Sequence, residues 1–280
     1  MPAPSTILVL GGPSAGKTVF ISAVYHHLWN GHDGMVMRAS NGAMHSELLN
    51  SVESILAGNM PAATASLRHY EFELEHENRI FNLRYLDYPG ELFRKVFHEL
   101  TIDTDEAREL HGYCEEAGGV LMLIDPANVV EASSEADYML SNLLRYCATR
   151  RMPPEIVVAF TKRDENRDTV GKHVYSFVKR HLPHTSRELK RGIHVMHFCS
   201  LIKSDHSVQL ANAPAVKAPL ESIMEAMEQH AIDRARRKYV RRLAWWDAFS
   251  KVFVVVVLLI ATILTFIAGV FLRHLVESNR

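Results

Sequence analysis

Eight residues near the start of the chain, "GGPSAGKT" from Gly11 to Thr18, are of types that together hold a phosphate. Gly11 and Gly16 let backbone N–H groups turn inward, and the spacing G-x-x-x-x-G-K-[ST] delivers a cation, Lys17, and a hydroxyl, Thr18, to one point. Lys17 would reach the β and γ oxygens of a polyphosphate. Thr18 would give its oxygen to Mg2+, a hard cation that takes oxygen ligands. Pro13, Ser14 and Ala15 make the bend between the glycines, and Val19 continues the helix that the loop opens, so these residues are expected around the phosphates as well. The competing reading is a glycine-rich turn with a solvated lysine, but all four fixed positions are filled between an apolar run and a helical pattern. The loop by itself does not choose between ATP and GTP.

Three further stretches follow in order: "LRYLDYPGE", with Asp87 and Gly90; "AFTKRDE", with Thr161, Lys162 and Asp164; and "HFCSL", with Cys199, Ser200 and Leu201. Each stands at the end of an apolar, strand-like run. Phosphate loop, D-x-x-G, T-K-x-D and a small-residue loop in this order resemble the Ras-like P-loop GTPase superfamily, over residues 6 to about 230. The resemblance implies that Asp87 holds Mg2+ through water and that the Gly90 N–H senses the γ phosphate. It also implies that Asp164 accepts hydrogen bonds from N1 and N2 of guanine while the Lys162 stem packs on the base. A carboxylate left unpaired against adenine is costly, so the discrimination is physical. Ser200 and Leu201 fall where the family carries its base-contacting loop, with a looser match.

A switch threonine is expected at Thr64, four residues before the second strand, closing on Mg2+ when the γ phosphate is present. Where the superfamily places a glutamine after D-x-x-G to orient water, this chain has Glu91. A carboxylate there accepts a proton but repels the γ phosphate, which implies slow hydrolysis; its plainer role is to favour a helix N-terminus. Lys17, Glu91 and Thr64 are thus the residues expected at the chemistry. Arg94 and the Arg68 region are the local arginines that a transition state could draw on. The stretch Gly58 to Thr64, the long segment before it and an apolar C-terminus together resemble the bacterial double-GTPase group. The D-Y-P-G-E stretch is also similar to the membrane-bound beta subunit of the signal-recognition-particle receptor. These families imply a nucleotide-dependent switch with GTP or GDP as ligand, Mg2+ as cofactor, and a protein effector or activating partner.

The elements that must position these residues alternate between β-branched runs and helical periodicity, the pattern of a parallel sheet covered on both faces. Strands are expected at 6–10, 68–75, 81–87, 119–125, 156–161 and 193–200. Helices are expected at 17–29, 44–57, 91–116, 135–151, 166–181 and 218–249, and 203–217 reads as a loop. "HENR" is short enough for a hairpin, so one sheet edge is expected to be antiparallel. The fold class is therefore α/β, a three-layer P-loop NTPase (Ras-like) fold with a mostly parallel six-stranded sheet, plus one C-terminal transmembrane helix.

That last expectation comes from residues 252–272, which carry no charge; as a helix they extend about 32 Å, against a hydrocarbon core of about 30 Å. Trp245 and Trp246 precede the segment, and "RARRKYVRR" at 234–242 places the N-terminal side in the cytoplasm. The division expected is a GTPase domain at 1–230, a basic juxtamembrane helix at 231–251, a single-pass span at 252–272 and a tail at 273–280. The basic run is expected to meet anionic membrane lipid rather than nucleic acid. Ala261, Thr265 and Gly269 form a small-residue face on which a homodimer could pair. No secretory signal is expected, and Cys114, Cys147 and Cys199 have no metal or disulfide spacing. The 16 histidines likewise lack metal-ligand pairing. Two other classes stay open: a guanine-nucleotide adaptor that does not hydrolyse, and a P-loop kinase or ATPase, which would leave T-K-x-D unexplained.

Overall fold

The structure, a computed structural model, describes residues 6–62, 67–150, 152–166, 174–189, 194–204 and 207–278; for 194, 244, 247–248, 250–259, 261–262 and 264–278 it describes the backbone alone. The chain divides into two compact units, Met1–Glu228 and Gln229–Arg280.

The first unit is built on a sheet of strands β1 (Thr6–Gly11), β2 (Met35–Ala39), β3 (Arg68–His76), β4 (Arg79–Asp87), β5 (Gly119–Ile124), β6 (Glu155–Phe160) and β7 (His194–His197). Their order is β2-β3-β4-β1-β5-β6-β7. β4, β1, β5, β6 and β7 run parallel, whereas β2 and β3 are antiparallel additions at one edge. β3 and β4 form the hairpin expected from "HENR". Its central residues Glu77 and Asn78 have φ of 48° and 62°, which is the type I′ turn that matches strand twist.

The sheet has seven strands rather than six. The strand that sequence reasoning missed, β2, is only five residues long, reads "MVMRA" and pairs on one side only. One β-branched residue in five is too weak a signal to mark a strand. A second, two-stranded sheet pairs β8 (Leu201–Ser204) with β9 (Ser207–Leu210), overlapping the start of the stretch 203–217 expected as a loop.

Helices α1 (Lys17–Leu28), α2 (Gly42–Leu56), α3 (Gly90–Phe97), α4 (Asp105–Glu116), α5 (Pro126–Glu131), α6 (Ser133–Thr149), α7 (Val174–His181), α8 (Pro183–Glu188) and α9 (Ala213–Ser278) complete the described elements. The single helix expected at 91–116 is two. Leu100 has a φ of 56°, which a helix does not tolerate, and Thr104 then caps a new helix by accepting from Ala107 N at 3.2 Å. The expected helix at 166–181 is described only from Val174.

Alternation along the central strands fixes the layers. Ile7, Val9, Leu121, Leu123, Val157 and Ala159 face one core with Phe20 and Val24 of α1 and Leu220, Ile223, Met224 and Met227 at the start of α9. Leu8, Leu10, Val120, Met122, Val158 and Phe160 face the other, with Phe93, Phe97, Leu110 and Leu144. Side chains such as Phe20, wholly buried, contribute about 2–3 kcal/mol each through this burial. The consequence for function is positional: β1, β4 and β6 all end on one rim of the sheet.

In the second unit, the backbone of the expected span 252–272 is helical, within α9. Among the described residues no helix is long and apolar enough to cross a membrane, so the transmembrane helix is not found there. Such a span needs about 20 consecutive apolar residues. Of the side chains in 252–272, only Ile260 and Ile263 are described.

Candidate functional site

The phosphate loop joins β1 to α1. Gly16, at the helix N-cap, has a φ of 73° and Ser14 a φ of 54°, so the chain is forced through two left-handed turns that aim backbone N–H groups inward. Three side chains brace this loop from separate elements. Thr161 Oγ1, at the end of β6, lies 3.1 Å from both Ala15 O and Ile124 O. Asn128 Nδ2 of α5 donates to Pro13 O at 3.0 Å. The Tyr88 hydroxyl, just after β4, accepts from Gly11 N and donates to Gly11 O, both at 3.0 Å.

Lys17 lies back across its own loop, donating from Nζ to Gly11 O at 3.1 Å and Gly12 O at 3.2 Å. Burial pushes its pKa down to about 8, against the opposing attraction of Asp87. Asp87 is itself buried and accepts from the Tyr85 hydroxyl at 3.3 Å. That hydroxyl also lies 3.5 Å from Thr18 Oγ1, so the two expected metal-holding oxygens share one neighbour. Gly90 permits the close seam beside them: a Cβ there would stand 2.7 Å from Pro13 Cα and closer still to the Pro13 ring.

At the other end, Lys162 has a φ of 55° and donates to Asp125 Oδ2 at 2.6 Å. Asp125 also caps α5, its Oδ1 accepting from Ala127 N at 3.0 Å. Asp164 Oδ1 accepts from the Cys199 thiol at 3.4 Å and Oδ2 from Lys203 N at 3.2 Å. Burial, with the Asp164 charge beside it, raises the Cys199 pKa to about 11, so this thiol stays protonated and donating near neutrality.

These elements enclose a cavity of about 420 Å³. Of the residues expected from sequence, Pro13, Ser14, Ala15, Gly16, Lys17, Thr18, Val19, Asp87, Gly90, Thr161, Lys162, Asp164, Ser200 and Leu201 all line it. Two do not. Gly11 is the last residue of β1, its backbone taken by Tyr88. Glu91 is exposed in the first turn of α3, where its charge favours the helix N-terminus, and pairs with Arg94 at 2.9 Å. Arg94 is held further by Glu99 at 2.7 Å. Thr64 lies outside the described residues, although Met60, Pro61 and Ala62 just before it line the cavity.

Sequence reasoning missed Tyr88, Asp125, Glu165 and Lys203. Asp125 carried a readable signal, since Asp followed by Pro is a helix N-cap followed by N1; Tyr88 occupies a free position of D-x-x-G and carried none. Among the described residues no group of His, Cys, Asp and Glu gathers into a metal cluster. A site of one hydroxyl and one carboxylate, with the remaining ligands from phosphate and water, suits Mg2+.

Glycine loop, buried lysine, Mg2+-type oxygens and a carboxylate at the far end of one cleft define the class of P-loop GTPases. The family model described as Double-GTPase 1 matches residues 8–153, just over half of the chain, and the chain belongs to that family. The match contains the phosphate loop and D-x-x-G and stops before T-K-x-D. No curated protein sequence matches this one. Among solved structures, the mammalian SRP receptor is similar at a TM-score of 0.41 and 12% identity, with 69% of this chain and 90% of that chain covered.

Proposed function

We propose that the chain binds GTP with Mg2+, hydrolyses it slowly to GDP, and acts as a nucleotide-dependent switch. The observation that carries this reading is one cavity lined by residues of four sequence motifs. Lys17 would leave the Gly11 and Gly12 carbonyls for the β and γ oxygens, and Thr18 and Asp87 would hold the cation. Thr161 ties the base end to the loop, Lys162 would lie along the base, and Asp164 would exchange its Cys199 and Lys203 donors for guanine N1 and N2. Membership of the Double-GTPase 1 family supports the same assignment.

Slow turnover is favoured by the Glu91–Arg94 pair, in which the side chain at the water-orienting position is held by an arginine and does not line the cavity. The same pair favours the second reading, a nucleotide-loaded adaptor that does not hydrolyse. Purified full-length chain incubated with GTP and Mg2+ separates the two. Phosphate release abolished by Lys17→Ala supports the switch, and no release above that variant supports the adaptor.

Attachment to the cytoplasmic face of a membrane is the remaining part of the proposal. It rests on the uncharged run 252–272 and on the basic residues before it, among which Arg236, Arg237, Lys238, Arg241 and Arg242 are exposed. Extraction of the chain from membranes by carbonate or salt alone would contradict it. An effector, an activating partner and pairing of two copies belong to the switch reading as its expected associates.

A further inference from the structure

We infer that Tyr88 is a positioning residue of the phosphate site: its hydroxyl fixes the Gly11 backbone and its ring carries the Lys17 ammonium, binding the D-Y-P-G segment and the phosphate loop into one piece. The inference rests on the reading of the cavity as a nucleotide site, and adds a residue that neither motif requires.

Tyr88 is almost wholly buried, and its ring stacks on Phe93 of α3 at a centroid distance of 6.1 Å and an interplanar angle of 18°. A phenol has one proton and two lone pairs, which is enough to accept from Gly11 N and donate to Gly11 O at once, as observed. Gly11 O accepts a second bond from Lys17 Nζ. When the lysine leaves for a phosphate, Tyr88 keeps that carbonyl paired, where an orphaned buried acceptor would oppose the departure. Lys17 Nζ also lies 4.6 Å from the centroid of the Tyr88 ring, within the range at which an aromatic face attracts a cation. Gly90 against Pro13 forms the second seam between the same two segments.

The test uses the purified full-length chain, GDP as probe, and the NMR shift of the Lys17 side chain at one fixed pH without nucleotide, assigned with Lys17→Met. Tyr88→Phe keeps the ring and loses the hydroxyl; it should bind GDP about tenfold more weakly, with the Lys17 ring-current shift in place. Tyr88→Leu loses the ring, and the upfield displacement that an aromatic face gives the nearby Lys17 Nζ and Cε protons should then disappear. Tyr88→Phe binding GDP as tightly as the native chain overturns the hydroxyl link. An unchanged Lys17 shift in Tyr88→Leu overturns the ring contact, and if that variant fails to fold, Tyr88→Phe decides alone. A native chain that does not bind GDP refutes the nucleotide reading, while the Lys17 shift in the nucleotide-free variants still decides the contact.

Discussion

Replacing Lys17 by Met should stabilise the nucleotide-free chain while abolishing nucleotide binding. The buried ammonium titrates at about 8 instead of its ordinary 10.5, and at about 1.4 kcal/mol per tenfold this corresponds to a cost of roughly 3 kcal/mol for keeping the charge in the fold. Methionine retains the apolar stem and removes that cost. It also removes the donors to Gly11 O and Gly12 O, worth about 1 kcal/mol in total, since Tyr88 still serves one of them. The net gain at pH 7 is therefore about 1–2 kcal/mol. Its pH dependence follows from the direction of the shift. Below about pH 8 the lysine is protonated both folded and unfolded, and the whole cost is present. Between about 8 and 10.5 the unfolded chain holds a proton that the folded chain has released, so native stability rises with pH and the advantage of the variant shrinks. Urea unfolding of both proteins at pH 7 and pH 10 measures this. A Lys17→Met chain less stable than the native one at pH 7, with a difference unchanged at pH 10, would refute the reasoning. The gain is expected because a binding cation is held ready at the expense of the empty fold.

Asp125→Ala removes both the α5 cap and the partner of Lys162 and should cost about 2–3 kcal/mol in thermal unfolding, whereas Asp125→Asn, which can still cap, should cost about 1 kcal/mol. Both should weaken guanine-nucleotide binding several-fold in a fluorescence titration; equal stability of the two variants would contradict the divided role. Gly90→Ala pushes a methyl into Pro13, so it should lower affinity for a non-hydrolysable GTP analogue more than for GDP, with Pro13→Gly restoring part of the loss.

The strands that carry the site were legible because β1 and β6 are β-branched runs and β4 alternates Phe81, Leu83 and Tyr85 with polar Asn82 and Arg84, each leading into a motif: β1 at Gly11, β4 at Asp87, β6 just before Thr161. The edge strand β2 was not, since a short strand paired on one side places little demand on residue type. The break between α3 and α4 was half legible. "TDEA" at 104–107 is an N-cap with acids in the first turn, but the left-handed Leu100 that ends the preceding segment has no signature in an apolar side chain. Motif residues at the cavity could be named from spacing because the loop geometry demands them. Tyr88 and Asp125 act through contacts with residues 77 and 37 positions away, and only the folded sheet brings such pairs together. Sequence spacing gives the position of Glu91 on α3 but not the direction of its side chain, which turns to Arg94.

Asp164 is the residue on which the choice of guanine rests, and its exchange tests the account most directly. Calorimetric titration of the full-length chain and of Asp164→Asn with GTP and with ATP, each with Mg2+, gives the discrimination as a ratio of affinities. The account predicts that the native chain prefers GTP by at least about a hundredfold, the scale on which a buried carboxylate left unpaired rejects the wrong base, and that Asp164→Asn loses most of that ratio. Equal binding of GTP and ATP by the native chain, or an unchanged preference in Asp164→Asn, would contradict it.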